Sequence, residues 1–233
     1  MKVSIRKLFY AVTVSVVLGA SVSAQSSRTA IEYGNKLYAQ SKYELAISAY
    51  RRVGPNNGEV YAQAIYNIGV CSYELWRTDE AIALFKEAIA LKHGNYPKAS
   101  YALGVALEDV QKFTEAKDAY RQSIQASQGE LALPIYRLGV LLANEGDTEA
   151  AANHFREASK RRGEHTAASH NNLGVMLARL NRLGDAEAEF EIAVRQSTNG
   201  FADAEHNLRL CRSLRTTTKN LSESKQLRLV NKL

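Results

Sequence analysis

A glycine returns every 35 residues: Gly34, Gly69, Gly104, Gly139 and Gly174 keep one interval without drift. Twelve residues after each stands an alanine (Ala46, Ala81, Ala116, Ala151, Ala186), and four beyond that an aromatic (Tyr50, Phe85, Tyr120, Phe155, Phe190). Self-similarity at this period is the mark of stacked supersecondary units, each able to bury its apolar face only against its neighbours. Such a chain presents an extended surface rather than a closed catalytic pocket, and its expected work is holding other molecules.

Between the markers the pattern is helical. Stretches such as 61–75 and 99–110 space their apolar residues by three and four, and no run alternates long enough to argue a strand. The segments 54–58, 93–97 and 198–200, rich in glycine, proline and asparagine, read as loops between units. Thr29 followed by Glu32 has the form of a capping box, which predicts a helix start near 27–30, and Pro134 falls in the first turn of its helix, where a missing donor is harmless. A glycine inside a helix costs roughly 1 kcal/mol against alanine, so its recurrence implies a close helix crossing. The alanine is the expected partner at that crossing, with the aromatic filling the wider space beside it.

The repeat resembles the tetratricopeptide repeat, whose helix–turn–helix unit of about 34 residues carries W-x2-L-G-x2-Y, then A-x3-F, then P. Here the leucine place before the glycine holds Tyr33, Ile68, Leu103, Leu138 and Leu173, and the A-x3-aromatic element is complete five times between residues 27 and 201. The tryptophan place holds Ala30, Ile65, Ser100, Ile135 and His170, the tyrosine place Leu37, Ser72, Leu107, Leu142 and Leu177, and the proline place Gly58, His93, Gln128, Gly163 and Thr198. The 35-residue period is read as one extra residue in the connection between units. The resemblance implies an all-α, right-handed superhelical solenoid of helix–turn–helix units near 27–61, 62–96, 97–131, 132–166 and 167–201. A capping helix over 202–215 completes a repeat domain spanning 25–215. Arg209 takes the next place in the glycine series, and no second helix follows it.

The ends differ from the repeats. Lys2, Arg6 and Lys7 precede a short apolar run, 8–20, and the small residues Val22, Ser23 and Ala24. This order predicts a signal peptide over 1–24, cleaved near Ala24, and a soluble periplasmic or extracellular product; retention as an anchor is the alternative. The formal charge of +6 includes three leader cations, so residues 25–233 carry 27 basic and 24 acidic groups, a balance of +3. From Arg209 onward there are seven basic residues and one acidic, which makes 216–233 a basic tail, expected to be mostly disordered, with weak amphipathic character near Leu227, Leu229 and Val230. Such a tail is read first as a solvated segment that keeps the open end of the stack soluble, with weak contact to anionic lipid or an acidic partner as the alternative; nucleic-acid binding is not expected of the slightly acidic repeats.

Chemistry is sparse. Cys71 and Cys211 stand four units apart, too far for a disulfide, and are expected to be small buried residues. The histidines show no metal spacing, and Ser222 with Lys225 matches S-x-x-K without its companion elements. No catalytic residue, metal or cofactor is therefore expected.

By the resemblance, the concave face of the first helices includes the places three before, one after and four after the glycine. The first series gives Tyr66, Tyr101 and Tyr136, with Asn171 and His206 beyond; the second gives Asn35, Val70, Val105 and Val140; the third gives Tyr38 and Tyr73. Tyrosine suits a binding surface because it offers apolar area and a hydroxyl at low rotamer cost; packing between successive helices is the other reading of Tyr66, Tyr101 and Tyr136. A carboxylate clamp of the kind found in the family is not complete: Asn35, Asn67 and Lys98 are in place, but Ile31 and Ala102 stand where cations are needed. The expected function is a non-catalytic scaffold of the bacterial cell envelope that holds an apolar, extended or helical segment of a protein partner. A structural subunit using the convex face or the ends, or an enzyme with an unrecognised site, are the alternatives.

Overall fold

The computed structural model describes residues 25–161, 163, 165–197, 200–216 and 227–230. The segment 1–24 predicted as a signal peptide, Ser222 and Lys225 of the S-x-x-K match, and positions 198–199 of the predicted last loop lie outside them. The second helices of the pairs begin at Tyr43, Thr78, Phe113, Thr148 and Leu183, each 35 residues after the last. The helices are α1 (25–39), α2 (Tyr43–Tyr50), α3 (Gly58–Glu74), α4 (Thr78–Leu91), α5 (Pro97–Asp109), α6 (Phe113–Ala126), α7 (Ala132–Glu145), α8 (Thr148–Ser159), α9 (Thr166–Arg179), α10 (Leu183–Gln196) and α11 (Ala202–Thr216). A single 3-10 turn, Pro55–Asn57, precedes α3. The all-α architecture of sequential antiparallel pairs is the one the repeat implied.

The backbone divides into two compact units at Gln111–Lys112, between α5 and α6. In the first, α2 packs on α3, α3 on α4 and α4 on α5. In the second, each helix from α6 to α11 packs on the next, and α11 also touches α9.

What the glycine makes room for is the ring, not the alanine. A Cβ built on Gly69 would lie 2.8 Å from Phe85 Cε1, and one on Gly139 or Gly174 would lie 3.0 or 2.7 Å from Cε1 of Phe155 or Phe190. At Gly34 the nearest atoms are likewise those of the Tyr50 ring. The alanine methyl is not among the nearest neighbours, although Ala46, Ala81, Ala116, Ala151 and Ala186 are all fully buried. Ring carbons Cε1 and Cδ1 of the second helix thus sit against bare backbone of the first. Each such ring contributes roughly 1.5–3 kcal/mol by burial alone.

The turns also keep the period. Ser41, Trp76, Gln111, Gly146 and Asn181 follow the first helices, and all have positive φ, from 57° to 89°. At Ser41, Trp76, Gly146 and Asn181 the amide donates three residues back and the next amide five residues back, as in Arg77 N to Ser72 O at 2.9 Å and Arg182 N to Leu177 O at 2.8 Å. This pattern is a Schellman closure, which satisfies the last carbonyls of each first helix. Two connections between units repeat the device, at His93 and Gln128 with φ of 51° and 52°, whereas Gly58, also at 51°, follows the 3-10 turn. These are three of the positions where the family carries proline. Proline, locked near −65°, cannot adopt that conformation, so its absence and the added residue have one cause.

Two local expectations are corrected. Thr29 lies inside α1, where its hydroxyl donates to Gln25 O at 2.9 Å, so helix is already formed at residue 25 and no capping box is made. The tail is not wholly apart from the repeats: residues 227–230 lie extended against the second unit, and Leu227 is only 4% exposed. The remaining tail positions, 217–226 and 231–233, lie outside the described residues.

Cys71 and Cys211 are free and buried, one in each unit. Burial pushes the Cys71 thiol up to about 12 and the Cys211 thiol up to about 11. At pH 8 both are thiols, and the native protein is expected to react with neither iodoacetamide nor a chromogenic disulfide until denatured; rapid labelling of either cysteine in the folded state would contradict this packing. The ring contact is tested by Gly174→Ala. Alanine gains about 1 kcal/mol of helix propensity, but the methyl meets the fully buried Phe190 ring, and overpacking costs about 1–3 kcal/mol. Urea melts are expected to show a net loss, whereas a gain in stability would mean that the ring is not the glycine's partner.

Candidate functional site

In the second unit, the side chains of Asn172 and Asn207 hydrogen-bond to the main chain of tail residues Arg228 and Val230. Asn172 on α9 and Asn207 on α11 are one repeat apart, both two residues before the glycine place, and both fully buried. A buried primary amide needs partners for a donor and an acceptor side by side. One residue of an extended chain offers that pair, because its N–H and C=O point to the same side. Asn207 Nδ2 donates to Arg228 O at 2.8 Å, while the Arg228 N–H donates to Asn207 Oδ1 at 2.8 Å. Asn172 repeats the arrangement two residues along, donating to Val230 O at 2.8 Å and accepting from Val230 N–H at 2.8 Å. The segment therefore runs from α11 back towards α7, against the order of the repeats.

Neighbouring side chains fix these amides. Asn171 Nδ2 donates to Arg228 O and to Asn172 Oδ1, both at 3.1 Å, and Asn171 Oδ1 accepts from Asn207 Nδ2 at 2.8 Å. Tyr136 on α7 accepts from Asn172 Nδ2 at 3.2 Å and donates its own hydroxyl proton to Val230 O. Burial holds the Tyr136 phenol well above its ordinary value, so it remains a donor at physiological pH. Its ring sits 5.7 Å from that of Phe155, which ties the site to the repeat core. At the rim, Arg228 Nη1 lies 3.2 Å from Asp203 Oδ1 in the first turn of α11.

The residues predicted for the groove divide between the two units. Tyr136 and Val140 are on α7, both buried. In the first unit, Tyr66 is half-buried with its ring 5.3 Å from Tyr96 and 5.9 Å from Phe85, a packed position in which burial raises its pKa. Tyr101, Val70 and Val105 are half-buried on α5 and α3. Tyr38 donates to Glu74 Oε1 at 3.1 Å and Tyr73 to Asp109, so these two hydroxyls link successive first helices at an interval of 36 residues. Burial, assisted by Glu74, pushes Tyr38 up to about 12. Asn35 is exposed; its Oδ1 accepts from Tyr50 at 2.8 Å and from Asn67 at 3.3 Å. It also lines a polar cleft of about 520 Å³ together with Arg28, Glu32, Gln63, Lys92 and Tyr96.

Asn172 and Asn207 were not among the predicted groove residues. Their signal was present, since the place two before the glycine reads Glu32, Asn67, Ala102, Arg137, Asn172 and Asn207. Among the described residues no group of three or more His, Cys, Asp or Glu is placed to hold a metal, and no helix is long and apolar enough to cross a membrane.

Comparison with known proteins agrees with this architecture. The tetratricopeptide repeat family matches residues 33–100, 77–130 and 136–201. A crystal structure of MamA superposes with a TM-score of 0.61 at 18% identity, covering 73% of this chain and 91% of that one. MamA 41-end from Desulfovibrio magneticus RS-1 gives 0.60 at 17%, covering 73% and 94%. YrrB, described as a TPR protein with an unusual peptide-binding site, gives 0.58 at 20%, covering 81% and 91%. At these identities the likeness establishes the fold alone. No match is found among curated proteins.

The paired amides predict an alternating exchange pattern. The Arg228 and Val230 amides are expected to exchange slowly with deuterium and the Leu229 amide faster, and Asn207→Ala is expected to release Arg228 first. Equal exchange at all three positions would contradict the register.

Proposed function

Because the chain belongs to the tetratricopeptide repeat family, we propose that it is a non-catalytic interaction scaffold that holds an extended segment of a partner protein along α7, α9 and α11. The observation that carries this reading is the pair of buried asparagines, each gripping both polar groups of one main-chain residue. Main-chain N–H and C=O groups are common to every peptide, so such a grip fixes an extended conformation and a two-residue register while leaving sequence choice to the side chains. The printed description of YrrB, which names a peptide-binding site, is a parallel on the same fold. Tyr38, Tyr66, Tyr73, Tyr101, Val70, Val105 and Asn35 are proposed as further partner-facing positions of the first unit. The half-buried rings and valines suit an apolar stretch of partner, and the exposed Asn35 amide offers a polar contact.

We place this work in the bacterial cell envelope. The basic start, short apolar run and small-residue site over residues 1–24 support export. The basic C-terminal tail adds a modest capacity for contact with anionic lipid or an acidic partner.

Affinity capture from an envelope fraction tests the reading. The Asn172→Ala, Asn207→Ala double variant is expected to recover its partner at least about tenfold less well than wild type, since leaving hydrogen-bonding groups unpaired costs about 1–3 kcal/mol each. The same loss is expected, in part, for the Tyr66, Tyr101, Tyr136 triple alanine variant. Unchanged recovery by a fully helical asparagine variant would overturn the groove assignment. A fusion of residues 1–24 to a reporter active only after export tests the location, and a reporter retained in the cytoplasm would count against it.

A further inference from the structure

We infer that residues 227–230 are a tethered ligand of the second unit, filling its groove in cis, and that the partner displacing them is an extended peptide with an apolar residue followed by a cation. The inference rests on the reading of this groove as a peptide site and adds what occupies it and which sequence it favours.

Three observations carry it. First, the segment is held as a ligand is held: its main-chain groups at Arg228 and Val230 are satisfied by side chains of Asn172, Asn207, Asn171 and Tyr136 rather than by another strand. Second, the helices spend fully buried asparagines on the contact. A permanent seam is more cheaply made from apolar side chains, because a buried amide only breaks even when every donor and acceptor is paired. A polar floor suits a surface that is covered at some times and wet at others. Third, two side chains of the segment are read. Leu227 is buried to 4% exposure, and Arg228 lies 3.2 Å from the Asp203 carboxylate. This pair is partly exposed, so it adds a preference of about two- to fivefold for a cation rather than an absolute requirement.

The connection from Thr216 to Leu227 is ten residues, 217–226. Tethering makes occupation intramolecular and independent of protein concentration. A groove closed nine times in ten weakens the apparent affinity of an outside peptide about tenfold, and anything that unseats the tail restores it.

The test uses the full chain carrying Arg228→Pro and Val230→Pro. Proline has no N–H, so both bonds to the asparagine carbonyls are lost while every helix residue is kept. The probe is a fluorescein-labelled peptide with the sequence of residues 225–233, followed by anisotropy. The proline chain is expected to bind it about tenfold more tightly than the wild-type chain. Adding Asn207→Ala to the proline chain is expected to abolish the gain. Peptides with Leu227→Ser or Arg228→Glu are expected to bind more weakly, and Asp203→Lys is expected to reverse the preference at the second position. Equal binding by wild-type and proline chains, or a gain insensitive to Asn207→Ala, would overturn the proposal. So would sedimentation showing a wild-type dimer that the two prolines disperse, since the tail would then fill the groove of a second copy. Because the probe is the chain's own sequence, the outcome is separate from capture of a partner: tight probe binding with no envelope partner would leave the tethered ligand standing and remove the scaffold reading.

Discussion

The contact on which the rest depends is an aromatic ring laid on a glycine. Gly69 and Phe85, Gly139 and Phe155, and Gly174 and Phe190 all bring ring carbons to the place where a methyl would stand. Dispersion is short-ranged, so removing one carbon from the first helix allows the whole ring of the second to reach backbone. The gain outweighs the roughly 1 kcal/mol that glycine costs within a helix, because the ring buries far more surface than the methyl would. With the distance between the helices of a pair fixed in this way, successive first helices present equivalent positions at regular intervals.

That regularity is what makes a peptide grip possible. Asn172 and Asn207 are separated by one repeat, and they engage residues two apart on an extended chain. An extended chain presents its polar groups to a given side only at every second residue, about 6.6–6.8 Å apart. Helix spacing in the second unit and strand periodicity in the tail are thus matched, and the amide of asparagine is the side chain that offers a donor and an acceptor together. Tyr136, 36 residues before Asn172, extends the row with a hydroxyl that a desolvated site keeps protonated.

Much of the fold was legible because its determinants are local and repeated. Helix periodicity and the glycine, alanine and aromatic series all follow from residue type and interval. The partner of the glycine was misread as alanine, since the sequence supplies intervals but not the direction in which a ring points. The positive-φ turns were largely invisible for a related reason: Ser41, Trp76 and Gln111 are not residues that announce such a conformation, and only Gly146 and Asn181 in that series are. Among the site residues, Tyr136 was selected for its type, and its hydroxyl donates to Val230 O. Tyr66, selected on the same ground, is packed against Phe85 and Tyr96. Identical register does not give identical environment, because the neighbouring second helices and connections differ from unit to unit.

The sequence by itself determined the repeat and the helix pairing, because each rests on interactions between residues at fixed short separations along a helix or across one turn. Only the tertiary structure decided what the inner face of the second unit holds. Arg228 and Asn207 are 21 residues apart, and Val230 and Asn172 are 58. No period in the chain links them, and main-chain hydrogen bonds leave no trace in the identity of the residue that makes them.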